Sequence, residues 1–374
     1  MLIFADQNIP AIAQAFADIA TVKLFDGRRV SANELQNADV LLVRSITKVN
    51  QQLLENSAVQ FVGTATSGVD HIDRAFLAQR NIRFADAHGA NAQAVAEYVV
   101  AVLLELAERY RETLQDKTLG VIGYGCVGKC LAEIAPHLGL SVLINDPPLQ
   151  KIGSHPDTQF LELADVLQQA DIVSLHVPLN KEGPYPTANM VNQNFLDSLK
   201  PGCWLINTAR GNVIDDQALL GYLNRGGIAA LDVWRDEPRI TEAVLEASSL
   251  ATPHVAGYSQ DAKLKATAML HRAVCTAFEL NGSWTPQLPQ PNPIQILAPT
   301  LAQVVKQTYQ VTKDDASLRT LLQLPQNQRA SYFDSLRINY AFRREFAAWQ
   351  SAPAVDANER IILQSLGFRE ISEN

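Results

Sequence analysis

A chain of 374 residues that is 47% hydrophobic and 19% charged has ordinary globular composition. This excludes fibrous and disordered classes and leaves room for two or three domains. Its formal charge of −8 argues against a general nucleic-acid surface, so an anionic ligand needs locally placed arginines.

The start, MLIFADQNIP, has no basic leader, and no stretch of about 18 uninterrupted apolar residues follows it. This predicts a cytoplasmic protein with no membrane partner. Short apolar runs then alternate with polar or amphipathic segments: LIFAD, TVKLF, ADVLLVRS and QFVGTATSG. The rhythm is β-α-β and predicts a parallel sheet. Residues 92–109, AQAVAEYVVAVLLELAER, carry apolar positions at helical spacing over a length no strand reaches, and predict one long helix. A second series follows: TLGVIGYG, LSVLINDP, ADIVSLHVPL, GCWLINTAR, IAALDVW and SLATPHV. These are six strand candidates, the number of a complete dinucleotide-binding sheet. The four cysteines, Cys126, Cys130, Cys203 and Cys275, lack CxxC spacing and read as reduced core thiols, and no metal site is predicted.

From 282 to 293 the chain reads GSWTPQLPQPNP, and Pro286, Pro289, Pro291 and Pro293 keep it out of helices and central strands. It marks a linker. The residues beyond it mix apolar patches with charge and show no repeat. So short a unit buries a limited core alone and is expected to pack against another domain or subunit.

Two groupings carry chemistry. GVIGYGCVGK sets Gly123, Gly125 and Gly128 as G-x-G-x-x-G between a strand and a helix. Glycines there permit a tight turn, let backbone N–H groups approach a pyrophosphate, and let the helix pack on the sheet. Asp146 ends the next strand 23 positions beyond Gly123, near the place of a carboxylate on the adenosine ribose; it repels a 2′-phosphate and so favours NAD over NADP. The second grouping is Arg210, Glu237 and His254 at the carboxyl ends of successive strand candidates, where open α/β sheets bind ligands. Oxidising a secondary alcohol by hydride transfer needs a base, which His254 can supply. Glu237 can fix its tautomer. Arg210 can clamp a carboxylate through paired hydrogen bonds. Taken singly, each has a bland alternative: a surface ion pair, a loop cap, a satisfied core histidine. His176, also at a strand end, has apolar flanks that suit a structural or cofactor-lining place.

Together with HVPL, NTARG, DVWRDEP and TPHVAG, these residues resemble the D-2-hydroxyacid dehydrogenase family over about residues 90–260. The resemblance implies two doubly wound parallel-sheet domains: a split flavodoxin-like substrate domain (1–93 and 255–283) and a Rossmann NAD domain (94–254). It implies catalytic roles for Arg210, Glu237 and His254. NAD contacts are implied for Gly123, Tyr124, Gly125, Val127, Gly128, Asp146, Leu175, His176, Thr208, Ala209, Asp232 and Gly257. LLVRSITKVN, FVGTATSGVDHID, the Tyr of HVAGY, and KDDASLR, NYAFRREF and LGF near the end narrow the match to one branch. That branch acts on a phosphorylated four-carbon hydroxy acid and forms a homodimer through a small α+β C-terminal domain, here 284–374. HGANA at 88–92 departs from the family's Pro-Gly-Cys-Asn order and leaves local loop geometry open.

The loops VRSIT and TATSG offer hydroxyls and one arginine to such an anion. Arg44, Ser45, Thr66 and Tyr258 are the candidate substrate contacts, with Arg44 facing the phosphate; ordinary turn capping is the alternative for Ser45 and Thr66. Three other readings stay open at this point. The chain could act on 3-phosphoglycerate, act on glyoxylate or hydroxypyruvate, or bind NAD as a non-catalytic sensor.

Overall fold

The computed structural model describes residues 1–288, 295–296, 300–351 and 357–370. The chain divides into two compact units, Met1–Asn91 with Ser259–Gln290, and Ala92–Tyr258 with Pro291–Asn374.

The first unit is built on β1 (Leu2–Asp6), β2 (Thr21–Phe25), β3 (Val40–Val43), β4 (Phe61–Thr64) and β5 (Arg83–Asp86). All pair in parallel, in the order β2-β1-β3-β4-β5. Every residue of β3 and β4 is buried, because parallel strands are covered on both faces and so read as continuous apolar runs. Leu35, Leu54, Phe76 and Leu77 belong to one layer. Phe16, Leu270 and Val274 belong to the other, the last two from the returning helix Gln260–Ala277. The sequence gives no signal for β5, a partly exposed edge strand with Arg83 and Asp86 at its ends. Its register, Phe61 opposite Arg83, is set by tertiary pairing.

The second unit carries β6 (Thr118–Ile122), β7 (Ser141–Asn145), β8 (Ile172–Leu175), β9 (Trp204–Asn207), β10 (Ile228–Leu231) and β11 (Leu250–Ala251). These are the six expected strands, parallel and ordered β11-β10-β9-β8-β6-β7, and Phe160 makes a parallel bridge to Ile144 of β7. The direction of winding reverses between β6 and β8, so ligands are expected at the carboxyl ends of those strands. The predicted long helix is Ala92–Tyr110.

In the tail, helices Leu301–Thr308, Val311–Arg319, Gln326–Ile338 and Ala357–Ser365 accompany a parallel sheet of β12 (Gln295–Ile296), β13 (Gln350–Ser351) and β14 (Arg369–Glu370). Pro289, Pro291 and Pro293 of the linker lie outside the described residues. The tail shares the core of the nucleotide sheet: Val304, Val305, Tyr309, Phe346 and Phe368 cluster with Tyr98, Val102 and Leu106 of the long helix. Polar anchors fix the register. Arg343 donates to the carbonyls of Ala94 (2.6 Å) and Ala256 (3.1 Å). Phe346 N–H donates to both Glu97 oxygens at 3.0 Å. Arg319 donates to the carbonyls of Leu245 (2.9 Å) and Ser248 (2.7 Å). No described helix is long and apolar enough to cross a membrane.

Candidate active site

The glycine turn after β6 is explained position by position. Gly123 has φ of +94°, and a Cβ there would lie 2.8 Å from the carbonyl of His176. At Gly128 a Cβ would fall 1.9 Å from the Gly123 carbonyl oxygen, so the helix Cys126–Ile134 sits directly on the turn. Gly125, which precedes that helix, meets nothing within 4 Å. The turn is closed behind and open in front, at a helix N-terminus of the kind that binds phosphates. Asp146 accepts from Tyr124 N–H (2.8 Å) and Leu149 N–H (3.0 Å), which pins the glycine turn to the end of β7. Each of its oxygens keeps a lone pair for a ribose diol. Tyr124 stands edge-on to His155 and Phe160, and Val127 is packed against the core. This cradle fits a dinucleotide.

Around it, Leu175 and Ala209 are buried, while Thr208 and Gly257 are half-buried. Ring nitrogens of His176 bond the hydroxyls of Ser174 (2.9 Å) and Thr208 (3.2 Å). Burial pushes its imidazole down to about 3, so it is neutral at physiological pH and braces β8 against β9.

Arg210, Glu237 and His254 follow β9, β10 and β11. His254 has a left-handed backbone, φ +58°, uncommon for a non-glycine residue. The loop is held by Asp232, whose carboxylate accepts from Thr252 Oγ1 (2.7 Å), Val255 N–H (2.7 Å) and Ala256 N–H (3.0 Å). Its carbonyl accepts His254 N–H at 2.7 Å. His254 Nδ1 and Glu237 Oε1 are 2.5 Å apart. Burial pushes the Glu237 carboxyl up. The charge on His254, its hydrogen bond, Arg337 and the Trp234 N–H outweigh that and leave it below the ordinary carboxylate value. An ionised Glu237 only accepts, so Nδ1 carries a hydrogen, and in the neutral imidazole Nε2 presents the lone pair.

Arg210 is half-buried, and its Nη1 donates to the Ala209 carbonyl at 2.7 Å. Next to it stands Gly211, which no local sequence pattern marks. A Cβ there would lie 1.9 Å from the Trp234 carbonyl carbon, so the loops after β9 and β10 touch backbone to backbone. Trp234 Nε1 also donates to the Thr252 carbonyl at 2.8 Å, which braces the third loop.

Tyr258 lies in this second unit beside two tail residues that the sequence did not connect to it. Tyr340 meets its ring edge-on at 5.7 Å, and the Arg337 guanidinium carbon is 5.8 Å from its centre. Arg44, Ser45 and Thr66 belong to the first unit. Arg44 is half-buried near Lys263, whose ammonium is pushed down by burial and then by the arginine's charge. Lys263 also went unflagged, because nothing local to it signals a neighbour so distant in sequence. Ser45 is exposed. Thr66 Oγ1 donates to the Gly68 carbonyl (2.8 Å) and lies 2.7 Å from Thr64 Oγ1, so its hydroxyl already braces its turn. In HGANA, Asn91 Oδ1 accepts from Ser67 Oγ at 2.7 Å.

The sequence profile of the D-isomer specific 2-hydroxyacid dehydrogenase NAD binding domain matches residues 86–256. A domain of unknown function, DUF3410, matches residues 280–367. An erythronate-4-phosphate dehydrogenase from Salinibacter ruber is 43% identical over 92% of both chains, and one from Salmonella arizonae is 40% identical over 99% of both. Among solved structures, the NAD+-bound 3-phosphoglycerate dehydrogenase of Entamoeba histolytica matches with a TM-score of 0.65 at 23% identity. It covers 75% of this chain and 95% of that one, and shows the shared fold. The D-lactate dehydrogenase of Aquifex aeolicus, solved with NAD and lactic acid, matches at 0.61 and 26%, covering 75% and 96%. The chain belongs to the erythronate-4-phosphate dehydrogenase family, within the D-isomer specific, NAD-binding 2-hydroxyacid dehydrogenases.

Proposed function

We propose that the enzyme oxidises the C2 hydroxyl of 4-phospho-D-erythronate to (R)-3-hydroxy-2-oxo-4-phosphooxybutanoate, a step towards pyridoxal 5′-phosphate (vitamin B6). Similarity over nearly the whole chain supports the substrate. The observation that carries the chemistry is the His254–Glu237 pair at the strand ends of an NAD-binding sheet. NAD, when bound, supplies the hydride acceptor at nicotinamide C4. His254 Nε2 takes the hydroxyl proton as the hydride departs from C2, and Glu237 stabilises the imidazolium. Arg210 grips the substrate carboxylate and polarises the forming carbonyl. Gly123, Gly125, Gly128 and Asp146 hold the dinucleotide, and Arg44, Ser45, Thr66 and Tyr258 are the candidate contacts for the acid.

The enzyme works as a homodimer through the tail, where Ile338 and Phe342 are 67% and 66% exposed. Its place is the cytoplasm, with no nucleic-acid or membrane partner, in keeping with a net charge of −8. The test is kcat/KM with NAD on 4-phosphoerythronate, 3-phosphoglycerate, lactate and glycerate. A clear preference for the four-carbon phosphate is expected. Equal rates, or a preference for 3-phosphoglycerate, would refute the substrate while leaving the reaction type standing.

A further inference from the structure

Arg337 lies at the end of the tail helix Gln326–Ile338. Its guanidinium carbon is 5.8 Å from the centre of the Tyr258 ring, and Tyr340 meets that ring edge-on at 5.7 Å. Tyr340 is fixed in turn by donating to Asp314 at 2.7 Å, and the same oxygen accepts from Tyr309 at 2.9 Å. The tail thus frames Tyr258 and holds one cation inside the frame. That cation is not fully used there, since its Nε is buried and has no hydrogen-bond partner among the described residues. The guanidinium is hydrogen-bonded to Tyr258, and with Nε unpaired its donor set still has room for an acceptor. Burial works against the charge on Arg337, but Tyr258 and Glu237 outweigh it and hold the guanidinium above the ordinary arginine value. Arg337 is also among the groups that hold the Glu237 carboxyl low, which places it at the edge of the proton-handling pair.

Resting on the function proposed above, we propose that Arg337 is a specificity residue for that reaction, and that with the Tyr258 hydroxyl it receives the phosphate oxygens of the hydroxy acid. A phosphate monoester brings three acceptor oxygens and roughly −1.5 to −2 charges, which suits a planar guanidinium beside a phenol. Hydroxy acids without the phosphate leave that donor unmade. On this reading the tail supplies a substrate residue to the unit that binds NAD.

The test compares kcat/KM on 4-phosphoerythronate and on unphosphorylated erythronate for wild type, Arg337→Gln and Arg337→Lys, with NAD affinity and melting curves as controls. Losing a charge-assisted contact to phosphate is expected to cost Arg337→Gln roughly 100-fold on the phosphorylated acid. Arg337→Lys should recover about a tenth of the wild-type value, because it keeps the charge but not the fork. The loss on erythronate should be at least about tenfold smaller than the loss on the phosphorylated acid in both variants. Inhibition by inorganic phosphate should be weaker in both variants than in wild type. Equal losses on the two acids would mean that Arg337 acts through Glu237 and would overturn the proposal, as would no loss on the phosphorylated acid. If the glutamine variant does not fold, the lysine variant carries the same comparison. A wild type indifferent to the phosphate would strike the proposed function itself, whereas a wild-type preference that survives in Arg337→Gln strikes this inference alone.

Discussion

His254 stands in the left-handed region with its backbone N–H on the Asp232 carbonyl and its ring on Glu237, so three separate constraints fix where Nε2 points. Such over-determination is what a general base requires, because proton transfer depends on position before it depends on basicity. His254→Gln keeps the size and a hydrogen bond but removes the titrating nitrogen. Turnover should fall by roughly 100-fold to 10,000-fold, with NAD affinity, followed by fluorescence titration, within about twofold of wild type; near-normal turnover would sink the assignment. The glycine turn, Asp146 and the Arg, Glu and His at strand ends were legible because each is announced by its immediate neighbours. Gly211, Lys263 and Arg337 were not. Each acquires its meaning from a partner that only the fold brings near: Trp234, Arg44 and Tyr258.

At the scale of elements, the long helix Ala92–Tyr110 could be read directly, since its period persists for far longer than any strand. The strands β12 to β14 are two residues each, too short to leave a pattern, and β5 ends in charged residues. The helix meets the tail through Glu97, whose carboxyl burial pushes up to about 8. Gln93, Phe346 N–H and Arg343 pull it the other way without overcoming burial. In the unfolded chain the same group ionises near 4.3. The fold therefore binds the proton more tightly than the unfolded chain does, and this contribution to stability is fully present below about pH 4 and lost as pH rises towards 8. Glu97→Gln, which cannot ionise, should match wild type in Tm near pH 4 and exceed it by several degrees at pH 8, measured by calorimetry. A Tm difference that does not vary with pH would contradict this account.

For the whole molecule, the tail is not an appendage, because its apolar residues share one core with the nucleotide sheet. Among the large apolar side chains it leaves outside are Ile361 and, four positions apart and both mostly exposed, Ile338 and Phe342. In the homodimer proposed above, Ile338 and Phe342 are the candidate contact. Wild type should be a dimer by light scattering at micromolar concentration, and Ile338→Glu with Phe342→Glu should yield a monomer that still binds NAD. A monomeric wild type would refute this surface as the dimer contact.

The contact of Gly211 with the Trp234 backbone carries a last consequence, for redesign. No methyl group fits between the loop that carries Arg210 and the loop that leads to Glu237, so neither can be reshaped without displacing the other. Residues 207–212 and 234–237 are a single casting. On the function proposed above, a change of substrate is better begun at Tyr258 and the tail residues beside it.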